Sequence, residues 1–407
     1  MPICSSDLLF NSIQDERTVA FVDLDVLLDN YNVLTKSFKG KEILCVVKSE
    51  AYGHGAIEVS SLFREAGANW FGVASITEAE MLRKTSLQLE KGKEFPRILL
   101  MSDATQRNAE KIVSLNLDPV VWNHEQLASI SNFAKSEGLE VRAHLKVDTG
   151  MNRLGILPSD VPDFLASVNR FEGVAIHGLM THLSSAEDPT GVDFTNRQFS
   201  SMNSLVVKLK ERDLLPPLIH CSNSAGGNNF SDSIGSIVRA GIGLYGGIEF
   251  EGIDLRQSIT WKTKILQIKN VVAGSRIGYD RTYTMENNGK LAVVSVGYGD
   301  GFSRLLSNRG RVLLKGKSVP VVGRVSMDLT ILDVSEFEDE LDCSDEVILL
   351  GGESKEFIHV KELAERCETI SYEIFCGISY RVPRVFLSEG RILGKRVIGQ
   401  YIVEEYL

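Results

Sequence analysis

The sequence predicts an α/β chain: a (β/α)8 barrel of the TIM type over residues 1–253, followed by a mainly-β domain over residues 254–407. Three observations carry this. Eight apolar runs of strand length alternate with longer amphipathic stretches between residues 40 and 245. Such alternation builds a parallel sheet, and near-continuous apolar strands mark a sheet covered on both faces. After about residue 254 the runs are short, rich in Val and Ile, and divided by turn residues rather than by helices.

Taken in order, the runs are Ile43–Lys48, Trp70–Ile76, Arg97–Ser102, Leu117–Trp122, Val141–Asp148, Val174–Leu183, Leu218–Ser222 and Ser236–Tyr245. Between them, Ala56–Ala66, Thr77–Lys84, Ala104–Ser114, His124–Ser136, Asp160–Arg170 and Thr195–Arg212 read as helices. In the last of these, Phe199, Met202, Leu205, Val206 and Leu209 recur at helical spacing. Eight β/α units in about 200 residues suit a closed barrel. A doubly wound open sheet is the alternative, but no G-x-G-x-x-G follows the first strand. In the second half Thr263–Val272, Leu291–Val296, Val312–Lys315, Val319–Val322, Leu329–Val334 and Glu346–Leu350 read as strands. Asn287-Asn288-Gly289 and Lys315-Gly316-Lys317 have the turn chemistry of hairpins. Val360–Cys367 is the one helix expected in this half.

Composition narrows the class. A chain of 407 residues, 43% hydrophobic, can bury a core without disulfides or metals. Its net charge of −10 argues against a nucleic-acid partner, which needs clustered Lys and Arg. A small anion remains possible, since it needs only local donors. No run is long enough to span a bilayer, so no membrane partner is expected. Met1–Val19 lacks the basic start and apolar run of a secretory signal, which points to a cytoplasmic protein. The six cysteines form no C-x-x-C pair and read as reduced thiols, with no metal site.

In a barrel of this type, function gathers where the strands end at their carboxyl termini. Lys48 closes the first run, where partial desolvation would lower its pKa and suit it to Schiff-base chemistry. By itself such a lysine also reads as a cap reaching into solvent. The longer string Val-Val-Lys-Ser-Glu-Ala-Tyr-Gly-His-Gly (46–55) closely resembles the pyridoxal-phosphate lysine motif of the alanine racemase family, of fold type III. That resemblance implies pyridoxal 5'-phosphate bound covalently at Lys48, with Tyr52 on its phosphate.

Further motifs follow in the family's order. His-Leu-Lys-Val-Asp-Thr-Gly-Met-Asn-Arg-Leu-Gly (144–155) resembles the segment in which a lysine, here Lys146, is often carbamylated and positions an arginine, here Arg153. A carbamate turns a cation into an anion able to hold a guanidinium, which then serves the cofactor's phenolic oxygen and the substrate carboxylate. Without the family, Lys146 reads as a strand lysine paired with Asp148. Gly-Leu-Met-Thr-His-Leu (178–183) places His182 where the family stacks a histidine on the pyridine ring. His54, His144 and His220 lie in motifs but receive no catalytic role. His-Cys-Ser-Asn-Ser-Ala-Gly-Gly (220–227) and Val-Arg-Ala-Gly-Ile-Gly-Leu-Tyr-Gly (238–246) fall after strands 7 and 8, where barrels commonly bind phosphate. Ser224, with the amides of Gly241 and Ile242, resembles the family phosphate cup, and Asn223 adjoins it.

Arg239 would face the pyridine nitrogen. A guanidinium does not readily give up its proton, so the ring is a weaker electron sink and reprotonation at Cα is favoured.

The β half resembles the family in Ile-Gly-Tyr-Asp-Arg-Thr-Tyr (277–283), which makes Tyr279 the second acid/base. Racemisation needs proton carriers on opposite faces of a planar carbanion, so Lys48 and Tyr279 divide the two faces. A phenol is a poor base near neutrality and needs a nearby positive group, for which His182 and Arg239 are the candidates. Val-Gly-Tyr-Gly-Asp-Gly (296–301), Gly-Arg-Val-Ser-Met-Asp (323–328) and Ile-Ser-Tyr-Arg-Val-Pro-Arg (378–384) match further motifs. They imply Tyr298 at the substrate mouth, Met327 on the substrate carboxylate and Tyr380 on the phosphate. In the family Tyr279 and Met327 act across a homodimer, so shared sites are implied here too.

The expected activity is racemisation of alanine, which in the family provides D-alanine for peptidoglycan. A racemase of broader range, such as one acting on serine, is the nearest alternative. A non-catalytic pyridoxal-phosphate homeostasis protein would resemble a lone barrel, and fold-type-III decarboxylases fit Arg239 and Tyr279 less well. Ser49-Glu50, Asn152 and Ser326 depart from the residues common in the family. Glu50 puts an extended acid beside the cofactor loop.

Overall fold

The computed structural model describes residues 15–38, 40–89, 96–230, 234–337, 341–352 and 356–397, with the backbone alone over 85–89. Most of the polar segment 1–17 therefore lies outside the described residues.

Eight parallel strands form the first unit: β2 (Glu42–Val46), β3 (Trp70–Val73), β4 (Arg97–Leu100), β5 (Asp118–Val121), β6 (Val141–Lys146), β7 (Val174–Met180), β8 (Leu218–His220) and β9 (Ile237–Ala240). Their order runs β8-β7-β6-β5-β4-β3-β2-β9, all neighbours parallel. The two ends meet: Arg239 N–H donates to Ser222 O at 3.0 Å and Ser236 N–H to Ile219 O at 3.0 Å. The ring is a nearly closed TIM-like barrel, and each strand falls within one of the eight apolar runs or overlaps it. The intervening helices also match, as in Ala56–Glu65, His124–Glu137 and Val192–Glu211. Asn123 caps the second of these with a full capping box. None of the described helices is long and apolar enough to cross a membrane.

The second unit is a nine-stranded sheet, and its first strand comes from the start of the chain. β1 (Thr18–Asp23) pairs antiparallel with β10 (Ile259–Val271) and parallel with β18 (Arg384–Ser388). The division at residue 253 put this segment with the barrel, whereas its hydrogen bonds lie in the second sheet. Its partners are far along the chain, so no local pattern reveals the pairing. Between β10 and β18 the sheet takes in β13 (Gly289–Val294), β14 (Arg311–Leu314), β15 (Lys317–Pro320), β16 (Thr330–Asp333) and β17 (Glu346–Leu350), while β11 (Arg276–Ile277) and β12 (Tyr283–Thr284) pair as a separate two-stranded ribbon. β19 (Arg391–Arg396) closes the edge against β18.

Lys315-Gly316 does make a two-residue hairpin between β14 and β15, both residues at positive φ. Asn287-Asn288-Gly289 does not: β13 pairs with β10 and β16, and Asn288 Oδ1 instead accepts from Ala273 N–H at 2.8 Å. Besides Val360–Arg366, a second helix, Ser371–Gly377, lies in this half. One continuous apolar core joins the two units, from Leu44 and Phe71 to Trp261 and Phe375.

Candidate active site

Lys48 stands two residues beyond β2, at the start of a turn rather than in the strand. Ser49, Glu50, Ala51 and Tyr52 all take left-handed backbone angles, with φ of 53, 53, 52 and 55°. Such geometry costs L-residues roughly 1–2 kcal/mol each, so the turn has to be held by its surroundings. Ser49 N–H donates to Glu78 Oε1 at 2.7 Å. His54 Nδ1 faces the carbonyls of Tyr52 (2.9 Å) and Ala51 (3.1 Å) and so carries its proton there. Arg384 Nε donates to Gly53 O at 2.8 Å. Burial, reinforced by the charge of Arg153, holds the Lys48 ammonium below the ordinary lysine range, against opposing influences of Glu78 and Cys376.

Tyr52 stacks on Tyr245 with ring centroids 4.8 Å apart, and Tyr245 Oη donates to Val46 O at 2.9 Å. The Tyr52 hydroxyl reaches the space over Gly241, where an added Cβ would lie 2.4 Å from it. Ser224 Oγ accepts from Gly241 N–H at 3.0 Å. Asn223 Oδ1 accepts from Gly226 N–H at 2.9 Å, and Ile242 opens the short turn after Gly241. The hydroxyls of Tyr52 and Ser224 thus converge on the backbone at Gly241, an approach that only glycine allows. Donors in so small a cradle suit the oxygens of a phosphate.

Arg239 projects from β9 and is 3% exposed. It donates to the carbonyls of His220 (2.8 Å), Thr181 (2.8 Å) and Cys221 (3.0 Å), and to Nδ1 of His220 (3.2 Å) and His182 (3.1 Å). An arginine has no acceptor, so both histidines must present an unprotonated Nδ1. His220 Nε2 then donates to His144 Nδ1 at 2.8 Å. Burial, then the charge of Arg239, keeps His182 well below the usual histidine range, so the ring is neutral. Burial lowers Arg239 itself to about 10, which leaves it charged at neutral pH.

Lys146 ends β6 and is buried. Burial, with the charges of Arg239 and Arg153 and against Asp148, brings it down to about 7. Arg153 is exposed on the following loop, which Asp148 Oδ1 shapes by accepting from Gly150 N–H (2.9 Å) and Asn152 N–H (3.0 Å). The expected Lys146–Asp148 relation is therefore electrostatic, with the Asp148 carboxylate spent on the turn.

The barrel mouth thus gathers Lys48, Tyr52, Lys146, His182, Asn223, Ser224, Arg239, Gly241 and Ile242, and the charge of Arg153 is felt there. Tyr279 (71% exposed) and Met327 (52%) stand instead on the surface of the second unit, as do Tyr298 and Tyr380. Tyr298 N–H donates to Ser326 O at 3.0 Å and Gly299 N–H to Met327 O at 2.9 Å. Asp300, fully buried, pairs with Arg17 and Arg381, and Arg381 also donates to Asp328 at 2.6 Å. These bonds join the loops of Tyr298, Met327 and Tyr380 into one platform.

Sequence reasoning missed Tyr245, Tyr372 and Arg384. Tyr245 lay within a quoted glycine-rich string, so a signal existed. Tyr372, whose hydroxyl donates to Glu187 at 2.5 Å and whose ring tilts against Tyr52, sits on the unrecognised helix Ser371–Gly377.

Known proteins share this architecture. The family model "Alanine racemase, N-terminal domain" matches residues 22–249, and "Alanine racemase, C-terminal domain" matches 258–386. The alanine racemase of Halothermothrix orenii is 36% identical over 374 residues, covering 91% of this chain and 96% of the relative. One from Clostridium perfringens is 34% identical over 380 residues, covering 92% and 96%. Among solved structures, the alanine racemase of Clostridium difficile superposes with a TM-score of 0.84 at 30% identity, covering 94% of this chain and 98% of that one. The Bartonella henselae alanine racemase with covalently bound pyridoxal phosphate gives 0.82 at 26% identity, covering 91% and 100%. With both family models matched over most of the chain and the fold shared with solved structures along nearly all of it, the protein belongs to the alanine racemase family.

Proposed function

We propose that the protein is a pyridoxal-phosphate-dependent alanine racemase that interconverts L- and D-alanine by two bases, working as a homodimer. The observation that carries this is the combination at one barrel mouth of a desolvated lysine, a glycine-lined donor cradle and a buried arginine bonded only to carbonyls and histidine nitrogens. Lys48 would hold the cofactor covalently. Tyr52, Ser224 and the amides of Gly241 and Ile242, with Asn223 beside them, would hold its phosphate. His182 would stack on its ring, and Arg239 would offer the ring nitrogen a donor that keeps its proton. When bound, pyridoxal phosphate supplies the electron sink that acidifies the substrate Cα–H.

The chain's own residues move the proton. Lys48, held below its usual range, accepts or returns it on one face of Cα. The partner subunit's Tyr279 does so on the other, since the exposed tyrosine of this domain (254–407) is free to enter a neighbour's site. Met327 crosses with it to the substrate carboxylate, and Tyr298 lines the approach. Arg153 binds the carboxylate from the barrel side. Lys146, with much of its amine neutral near pH 7, is a nucleophile for carbon dioxide, and the carbamate would hold Arg153 in place.

The deciding experiment is deuterium exchange at Cα with the purified holoprotein and each alanine enantiomer. Exchange and racemisation of both are expected. Absence of exchange with cofactor bound would overturn the reading, and faster turnover of serine in a substrate panel would move the specificity.

A further inference from the structure

The turn bearing Lys48 and Tyr52 is gripped from the second sheet. Arg384 on β18 and Arg396 on β19 are directly opposite one another in the antiparallel ladder. Arg396 Nη2 donates to Glu50 Oε2 at 3.0 Å, and its Nε lies 3.0 Å from Glu58 Oε1. Glu50 Oε2 also accepts from Ala56 N–H at 3.0 Å. Glu50 is thus engaged by a guanidinium and a helix start. Arg384, opposite Arg396, is 1% exposed and among the described residues donates only to carbonyls: Gly53 (2.8 Å) in the turn, and Ile378 (2.6 Å), Ser379 (2.7 Å) and Val382 (2.7 Å) around Tyr380. The fit is close, because a Cβ on Gly53 would sit 2.3 Å from Phe375 O.

We propose that this Arg384–Arg396 rung is the positioning element of the cofactor site. It rests on the reading of Lys48 and Tyr52 as cofactor-binding residues. Four consecutive L-residues at positive φ relax toward right-handed backbone unless restrained. Arg396, acting through Glu50, supplies the restraint at the front of the turn, and Arg384 supplies it at the back while fixing the Tyr380 loop. Docking of the second sheet thereby sets where Lys48 and Tyr52 point. Glu58 shares the same guanidinium but lies on the helix Ala56–Glu65, outside the turn. That difference separates positioning from plain stability.

The test uses the full chain and the variants Arg396→Gln, Arg396→Lys, Glu50→Gln, Glu58→Gln and Arg396→Gln/Glu50→Gln. Pyridoxal phosphate affinity of the apoprotein, the pH titration of the bound cofactor's visible band, kcat and KM for alanine, and melting temperature are measured on each. Arg396→Gln and Glu50→Gln should each weaken cofactor binding roughly tenfold, or about 1.4 kcal/mol, displace the visible-band titration and lower kcat with KM little changed. The double variant should be no worse than either single one, and Arg396→Lys should recover part of the loss. Glu58→Gln should lower melting temperature alone. Equal effects of Glu50→Gln and Glu58→Gln on cofactor affinity would overturn the proposal. So would lowered melting temperatures with affinity and spectrum unchanged. If Arg396→Gln does not fold, the near-isosteric Glu50→Gln decides the matter. A wild-type protein that binds no cofactor at Lys48 defeats the functional reading itself, whereas unimpaired binding by Glu50→Gln defeats this inference only.

Discussion

Lys48, Tyr279 and Lys146 are three ordinary residue types whose chemistry depends on what surrounds them. On the proposed reading Lys48 serves as a nucleophile, and burial and the charge of Arg153, which disfavour its charged form, suit it to that role. Lys48→Ala should abolish the visible cofactor band and reduce racemisation by at least the 10²–10⁴-fold typical of a lost acid/base, roughly stated. Retained band and rate would remove Lys48 from the mechanism. Tyr279→Phe should depress Cα exchange from L-alanine far more than from D-alanine; equal losses would contradict the division of faces. For Lys146 the sign follows from its low folded value of about 7. Between about pH 7 and 10.4 the unfolded chain holds a proton that the folded chain lacks. Stability should therefore rise with pH across that window. In bicarbonate-free buffer, Lys146→Met should flatten the rise in melting temperature between about pH 7 and 9.5.

At the scale of elements, the glycine-rich turns matter through the space they leave. Gly241→Ala places a methyl 2.4 Å from the Tyr52 hydroxyl. Overpacking of this kind costs about 1–3 kcal/mol, so lower melting temperature and weaker cofactor binding are expected together, read by thermal denaturation and cofactor titration. Most elements were legible because their signals are local. The eight barrel strands are apolar runs, and Val192–Glu211 carries an unbroken helical stripe. Ser371–Gly377 escaped notice because seven residues, Ser-Tyr-Glu-Ile-Phe-Cys-Gly, are too few to establish a period and its apolar members pack against the Lys48 turn. The left-handed turn itself carries no glycine at Ser49 to Tyr52, so nothing in the sequence announces it.

For the whole molecule, the exposed Tyr279 and Met327 make the dimer testable. Co-folded subunits carrying Lys48→Ala and Tyr279→Phe should assemble one intact site per mixed dimer, giving about a quarter of wild-type activity from two inactive parents. No recovery would mean that each site is built within one chain. The buried histidines give the folded molecule an acid limit. His54 and His144 are held at about 3 by burial, and His220 is likewise well below its usual range. Unfolded histidines bind protons below about pH 6.5. Stability should accordingly fall as pH drops from there toward about 3, with net proton uptake on unfolding.

The sequence by itself determined the order of strands and helices and the residues that meet at the barrel mouth. The first follows from periodicity, and the second from short strings that resemble the motifs of the alanine racemase family. Only the tertiary structure decided that the first strand belongs to the last sheet. It also decided that Arg239 sets the protons of His182, His220 and His144, and that Glu50, within the Lys48 turn, is held by Arg396 of the last strand. Each of these depends on a hydrogen bond or ion pair between segments brought together by folding, where burial rather than spacing along the chain decides which charge has a partner.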